Sequence, residues 1–237
     1  MIPLVLSITR FARVPVPHTN DATYSLDTDG NEWVAKREAD MGCEALLAEA
    51  LTWLIARQIG VRVPDAAFCT DPAERAWLSR RLPNAIHWSA ELAPQIANPG
   101  EAGAIIALDA VVFNEARHGR NLLVTGSGKE NAATIWAIDA DEAMVGHVSE
   151  FAALGGSVPD PRIHAAGFPA NSLRGHALST AALVAALPPA LLHDFVTESC
   201  MLAREPRVGD LLSTLIARCA VAVQLTNDYL VRLEARP

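Results

Sequence analysis

The sequence predicts an α+β chain of two lobes, a small strand-rich first part and a larger helical second part. Three observations carry this. An Asp29-Gly30 turn sits between two β-prone runs, a long apolar helix follows directly, and the texture beyond residue 83 is almost entirely helical. The expected division is therefore 1–82 for the first lobe and 83–237 for the second.

Each element has its own signal. Residues 2–8 and 23–27 are short extended runs rich in apolar and β-branched side chains, and LDTDGNEWVAK reads as a hairpin through Asp29-Gly30. Over 41–60, Leu46, Leu47, Leu51, Trp53, Leu54, Ile55 and Ile59 cover most of a helix circumference, and Gly60 ends it. Strands follow near 66–70 and 75–80. Helices are expected at 101–113, 173–186, 189–204 and 208–234, interrupted by a hairpin at 121–138 that turns through GSGKEN. The Pro/Gly-rich stretch 155–172 reads as a surface loop, and apolar positions such as Leu187, Leu191, Phe195, Leu212 and Leu215 read as core of the helical lobe.

Composition bounds the function. The 237 residues are 51% hydrophobic with a formal net charge of −8, which counts against nucleic acid as the main partner. Asp109, Glu198 and Arg218 interrupt the apolar runs before they reach the ~18 residues a membrane span needs, and MIPLVLSITRFARV lacks the features of a signal peptide. Four scattered cysteines with no CxxC pair suggest reduced core thiols, and no HExxH suggests a histidine metal site. A cytoplasmic location is expected.

Three charges sit where burial is expected. Lys36 ends the strand WVAK, Glu49 lies mid-helix between Leu46 and Trp53, and Asp139 closes the apolar strand IWAI. An unpaired charge in such places is costly, so Lys36 and Glu49 are candidate partners; taken singly, a structural ion pair or a turn residue explains each. A fourth feature is VVFNEARHGRNLLV, residues 111–124, which packs three basic side chains and two asparagines between apolar elements. Their order is that of a protein-kinase-like phosphotransfer site: a strand Lys for the α/β-phosphates, a helix Glu that positions it, a His/Asn loop, and a strand-end Asp. Phosphoryl transfer spreads charge over non-bridging oxygens, so cationic groups and Mg²⁺ ligands must converge.

These segments resemble the HipA-like kinases over roughly residues 20–145. WVAK is similar to that family's nucleotide-lysine strand, LLAEALTWLIARQIGVRVPDAAF to its helix-Glu segment, and WLSRRLPNA to the stretch through its hinge. IIALDAVVFNEARHGRNLLV resembles a D-x-x-x-x-N-x-D-R-H-x-x-N catalytic segment, with Asp109, Asn114, Arg117, His118 and Asn121 in register. WAIDADEAM resembles its metal segment. The resemblance implies a bilobal protein-kinase-like fold and an ATP-dependent serine/threonine protein kinase, a toxin or regulator with a protein substrate and a cognate antitoxin. It implies that Lys36 contacts phosphates, Glu49 orients Lys36, and Asn121 and Asp139 bind Mg²⁺. His118 and Arg117 would shape the loop, and Asp109 would brace it. Asp141 reads as a surface turn residue before a metal ligand.

The sequence departs from that pattern in three places. The acceptor-orienting Asp falls at Ala116. Three readings are open: an Asp of the parent sequence replaced to silence the enzyme, a natural nucleotide-binding pseudokinase acting as an interaction module, or Glu115 serving instead. Loss of a positioned base costs about 10²–10⁴ in rate, so impaired turnover is expected while Mg-ATP binding survives. VPHTNDATYSL occupies the phosphate-loop place without glycines; Thr19 or Asn20 is expected to reach a phosphate, an ordinary surface loop being the alternative. The chain is also shorter than the longer HipA-type toxins, a compact stand-alone form. A small-molecule or lipid kinase is a further alternative, against which the acidic balance counts.

Overall fold

The structure, a computed structural model, describes residues 1–5, 8–15, 22–129, 132–146, 148–161, 168 and 170–235. Thr19 and Asn20, and Glu130 and Asn131 of the expected hairpin turn, lie outside the described residues.

The first sheet grows from the Asp29-Gly30 hairpin. Strands β3 (Ala22–Asp27) and β4 (Glu32–Arg37) pair antiparallel, with Tyr24 opposite Val34 and Ala22 opposite Lys36. The turn needs Gly30 at φ 77°, a left-handed conformation that costs a residue without Cβ little. The Asp27 carboxylate pins it, accepting from the Asn31 amide and the Trp33 indole N–H at 2.7 and 2.8 Å. Burial alone would raise the Asp27 pKa, but these donors hold it below the usual range.

Around this hairpin, β1 (Leu4–Val5), β2 (Ile8–Pro15), β5 (Ala66–Cys69) and β6 (Ala76–Arg80) complete six strands in the order β1-β5-β6-β4-β3-β2. Only β1 and β5 run parallel. Between β4 and β5, the short helix α1 (Glu38–Met41) turns at Gly42 into α2 (Cys43–Gln58). Residues from Leu46 to Ala56 on α2 are buried on nearly every side, including Glu49 and Thr52.

A second sheet, β7 (Ile86–His87), β8 (Leu122–Thr125) and β9 (Thr134–Ala137), lies next in the chain. The long helix α3 (Gly100–Val112) leads into the loop before β8 and is buried along almost all its length. The remaining helices are α4 (Val148–Ala153), α5 (Ala170–Ala185), α6 (Pro189–Ala203), α7 (Val208–Ala220) and α8 (Ala222–Glu234). α3 and α5 pack so closely that a Cβ at Gly103 would lie 2.5 Å from the Leu173 carbonyl oxygen.

The α+β reading with its strand-rich and helical parts is what the structure has, and differences lie in details. The sequence suggests one helix over 208–234; the structure bends it by 72° at Val221. No Gly or Pro marks that break. It buries Leu211, Leu215 and Cys219 on one arm and Leu225, Tyr229 and Leu230 on the other, so packing overrides local helix preference. Within 155–172, the chain is already helical from Ala170, and α4 just before it has no counterpart in the sequence reading. Among the described residues no single helix is long and apolar enough to cross a membrane.

Candidate active site

Lys36 lies one residue before the end of β4 and Glu49 in the second turn of α2, so sheet and helix present them to each other. The Lys36 ammonium donates to the Glu49 carboxylate and to the Asp139 carboxylate, and lies 3.5 Å from Asp141. Lys36 and Glu49 are 8% and 6% exposed, which makes the mutual pairing obligatory for both charges. Burial opposes the Lys36 charge, yet Glu49, Asp139 and Asp141 outweigh it and raise the pKa above the ordinary lysine value.

Asp139 follows β9 by two residues and sits at φ 62°, a left-handed conformation that Asp adopts more readily than most residues. Burial would raise its pKa, but Lys36 holds it below the usual carboxylate range. Asp141 behaves oppositely: burial, with Asp139 and Glu49 nearby, pushes it up to about 7. Asp141 lies in a turn, as the sequence suggests; it is half-buried, and its carboxylate oxygen lies within 4.8 Å of those of Glu49 and Asp139, so it also stands where a metal ligand could. The Asp-x-Asp spacing was the available signal.

The loop after α3 is built by a buried ion pair. Arg117 Nε donates to Asp109 Oδ2 at 3.0 Å and Nη2 to Asp109 Oδ1 at 3.1 Å, with side-chain exposures of 1% and 0%. Nη1 donates to the Asn121 carbonyl at 2.8 Å and to the Ile138 carbonyl. One guanidinium thus ties α3, the loop and the strand end that carries Asp139. Burial pushes the Asp109 carboxyl up, with Arg117 opposing, while Asp109 keeps the guanidinium charged against its own burial. Ala116 is buried and pinned at both ends: its N–H donates to Asn114 Oδ1 at 3.1 Å, and its carbonyl accepts from Asn121 Nδ2 at 3.0 Å. The Ile138 N–H donates to the Asn121 carbonyl at 3.1 Å, which sets Asn121 beside the Asp139 segment. His118 is exposed, and its carbonyl accepts from the Asn121 N–H at 2.9 Å.

Sequence reasoning missed Arg218. It is 1% exposed on α7, and its Nε and Nη2 donate to the last-turn carbonyls of α3, Val111 at 2.7 Å and Ala110 at 2.8 Å. Nη1 and Nη2 also reach Gly155 and Ser157 carbonyls. A cation at a helix C-terminus satisfies orphan carbonyls and the helix dipole, here directly before the loop. Arg218 falls on the same buried stripe as Leu211 and Leu215, seven and three residues after them, but that placement does not name its carbonyl partners.

Lys36, Glu49 and Asp139 face a cleft of about 400 Å³. Its walls include Tyr24 and Val34 from the first sheet, Leu123 from the second and Ile138 just after β9, with Lys36, Glu49 and Asp139 also lining it. That size and mixture suit a small molecule with an apolar part and an anionic end. The three carboxylates supply hard oxygen donors of the type Mg²⁺ takes.

No protein-family model and no curated protein matches the chain. Solved structures do. The fold is that of a proinflammatory kinase of Helicobacter pylori, CtkA, at a TM-score of 0.63 and 8% identity, covering 99% of this chain and 100% of that one. It is also that of HipA from Shewanella oneidensis MR-1, solved as a toxin–antitoxin system with HipB and operator DNA, at a TM-score of 0.54 and 13% identity, covering 93% of this chain and 68% of that one. The chain therefore has a HipA-like, kinase-type fold with a strand-rich N-terminal part and a helical C-terminal part.

Proposed function

We propose that the chain is an ATP-dependent phosphotransferase, a HipA-like serine/threonine protein kinase in kind, with residues 1–82 as its nucleotide lobe and 83–237 as its helical lobe. The single observation that carries this is Lys36 held between a helix carboxylate, Glu49, and a strand-end carboxylate, Asp139, in a cleft between two sheets. In this reading Lys36 meets the phosphates and Glu49 keeps it in place. Asn121 and Asp139, with Asp141 beside them, hold Mg²⁺. Bound there, the metal would neutralise charge on the phosphate oxygens. The apolar walls take the base.

In transfer, an acceptor hydroxyl oxygen bonds to the γ-phosphorus, the bond to ADP breaks, and the hydroxyl proton leaves to a base. Ala116 has no base to offer. Its backbone is fixed by Asn114 and Asn121, so the loop is ordered for the reaction but lacks the proton acceptor. Turnover is then lowered by about 10²–10⁴ while Mg-ATP binding persists. The same observation favours a second reading, a nucleotide-binding pseudokinase acting as an interaction module. An antitoxin-type protein partner is proposed from the HipA likeness, since that neighbour was solved with HipB.

The test compares phosphate incorporation from labelled ATP by the chain and by its Ala116→Asp variant. Incorporation only in the variant supports the kinase disabled at one position. Mg-ATP binding with silence in both supports the pseudokinase.

A further inference from the structure

Lys36 and Glu49 ride on elements joined by one corner. Gly42 makes it at φ 83°, and nothing lies within 4 Å of where its Cβ would be. The corner itself therefore leaves room for the angle between β4 and α2 to change. Besides its contacts with β6, α2 is held from outside the corner by α6, which packs against it.

Two arginines make that connection, one on each side of the corner. Arg75, just before β6, donates through Nη2 to the Leu202 carbonyl in the last turn of α6 and through Nε to the Glu38 carboxylate at the start of α1. The Glu38 N–H returns a bond to the Arg75 carbonyl at 2.8 Å, and the guanidinium lies 5.1 Å from the Phe68 ring centre. Arg75 thus ties the end of the Lys36 strand to α6. Arg207, four residues past α6, donates to Glu44 in the first turn of α2 at 3.1 Å, while Glu205 holds it from both sides at 2.8 and 2.9 Å. Arg207 thus ties the Glu49 helix to the same reference. A third link joins Glu198 of α6 to the Ile2 N–H at the chain's start.

We propose that α6 is the strut that keeps Lys36 and Glu49 in register, with Arg75 and Arg207 as positioning residues for the nucleotide site. The inference rests on the kinase reading above. In kinase-type sites the Lys–Glu pair must be in place for phosphates to be held, and the Glu-bearing helix is the element that moves. Here α6 contacts that helix directly.

The experiment measures equilibrium Mg-ATP binding by the full chain, alongside thermal unfolding, for Arg75→Met, Arg207→Met and Glu44→Gln, each alone and in a Glu49→Gln background. Methionine keeps an apolar side chain beside Phe68 in place of the guanidinium. The half-exposed Glu44–Arg207 pair is a mild change, which keeps the test open if Arg75→Met folds poorly. Expected are losses of about two- to five-fold for Glu44→Gln and Arg207→Met, and about ten-fold for Arg75→Met. In the Glu49→Gln background these losses shrink, because the strut acts by keeping Lys36 and Glu49 paired. Unchanged affinity with a lowered Tm, or equal losses in the Glu49→Gln background, overturns the inference alone. An unaltered chain that binds no Mg-ATP overturns the kinase reading and the inference with it.

Discussion

The ammonium of Lys36, in the N-terminal sheet, touches the carboxylate of Asp139, 103 residues further along the chain. That contact joins the first sheet to the segment just after β9, and both residues face the cleft. It places a cation among three carboxylates, so it links stability, pH response and ligand binding in one cluster.

Asp109 and Arg117 are the second charged pair, and they are fully buried. Asp109→Asn keeps the shape but leaves the guanidinium without a counter-charge, which costs about 3–5 kcal/mol. Urea unfolding measures it. A cost within experimental error would mean that the Asn121 and Ile138 carbonyls alone hold the loop.

Arg218→Met strips four carbonyl partners at the end of α3 and around Gly155. Unpaired buried carbonyls cost on the order of 3 kcal/mol together, or roughly 6–12 °C in Tm for a chain this size. Backbone amides of the catalytic-type loop should exchange faster as well. An unchanged Tm would contradict the capping role.

Asp141 carries the pH dependence. Its folded pKa is raised to about 7 from 3.8, so the folded state holds its proton more tightly than the unfolded chain. The raised value costs stability once the group must ionise: nothing below about pH 4, increasing as pH climbs, and complete above about 7. In chelator-treated protein, Asp141→Asn should therefore raise Tm more at pH 8 than at pH 5. A constant difference would contradict this environment for Asp141.

The thiols give a chemical check on the core. Burial pushes Cys200 up to about 11 and Cys219 to about 12, and raises Cys69, whereas Cys43 is half-buried. At pH 8 the thiolate fraction of Cys200 is roughly 10⁻³, so iodoacetamide should label Cys43 first in the native chain, and all four after denaturation. Early labelling of Cys219 would contradict the packing of α7.

What could be read from the sequence follows from what makes a signal. Lys36, Glu49 and Asp139 stood out because charges interrupted apolar strands and a helix, and burial forces such charges together. The Asp109–Arg117 brace was readable because both residues fall in the resembling loop segment. Arg75, Arg207 and Arg218 were not: Arg75 and Arg218 bond to backbone carbonyls, which no side-chain pattern identifies, and Arg207 reaches Glu44, which lies far away in the sequence. The break at Val221 was hidden for a similar reason: only the shape of the surrounding helices makes two arms better buried than one.

The central claim is that the Lys36–Glu49–Asp139 cluster forms an Mg-ATP site. It is tested most directly by calorimetric titration of ATP, with and without Mg²⁺, into the chain and into its Lys36→Ala and Asp139→Ala variants, with circular dichroism confirming the fold. The account predicts saturable, Mg²⁺-dependent binding to the chain and none to either folded variant. Equal binding in all three would contradict it.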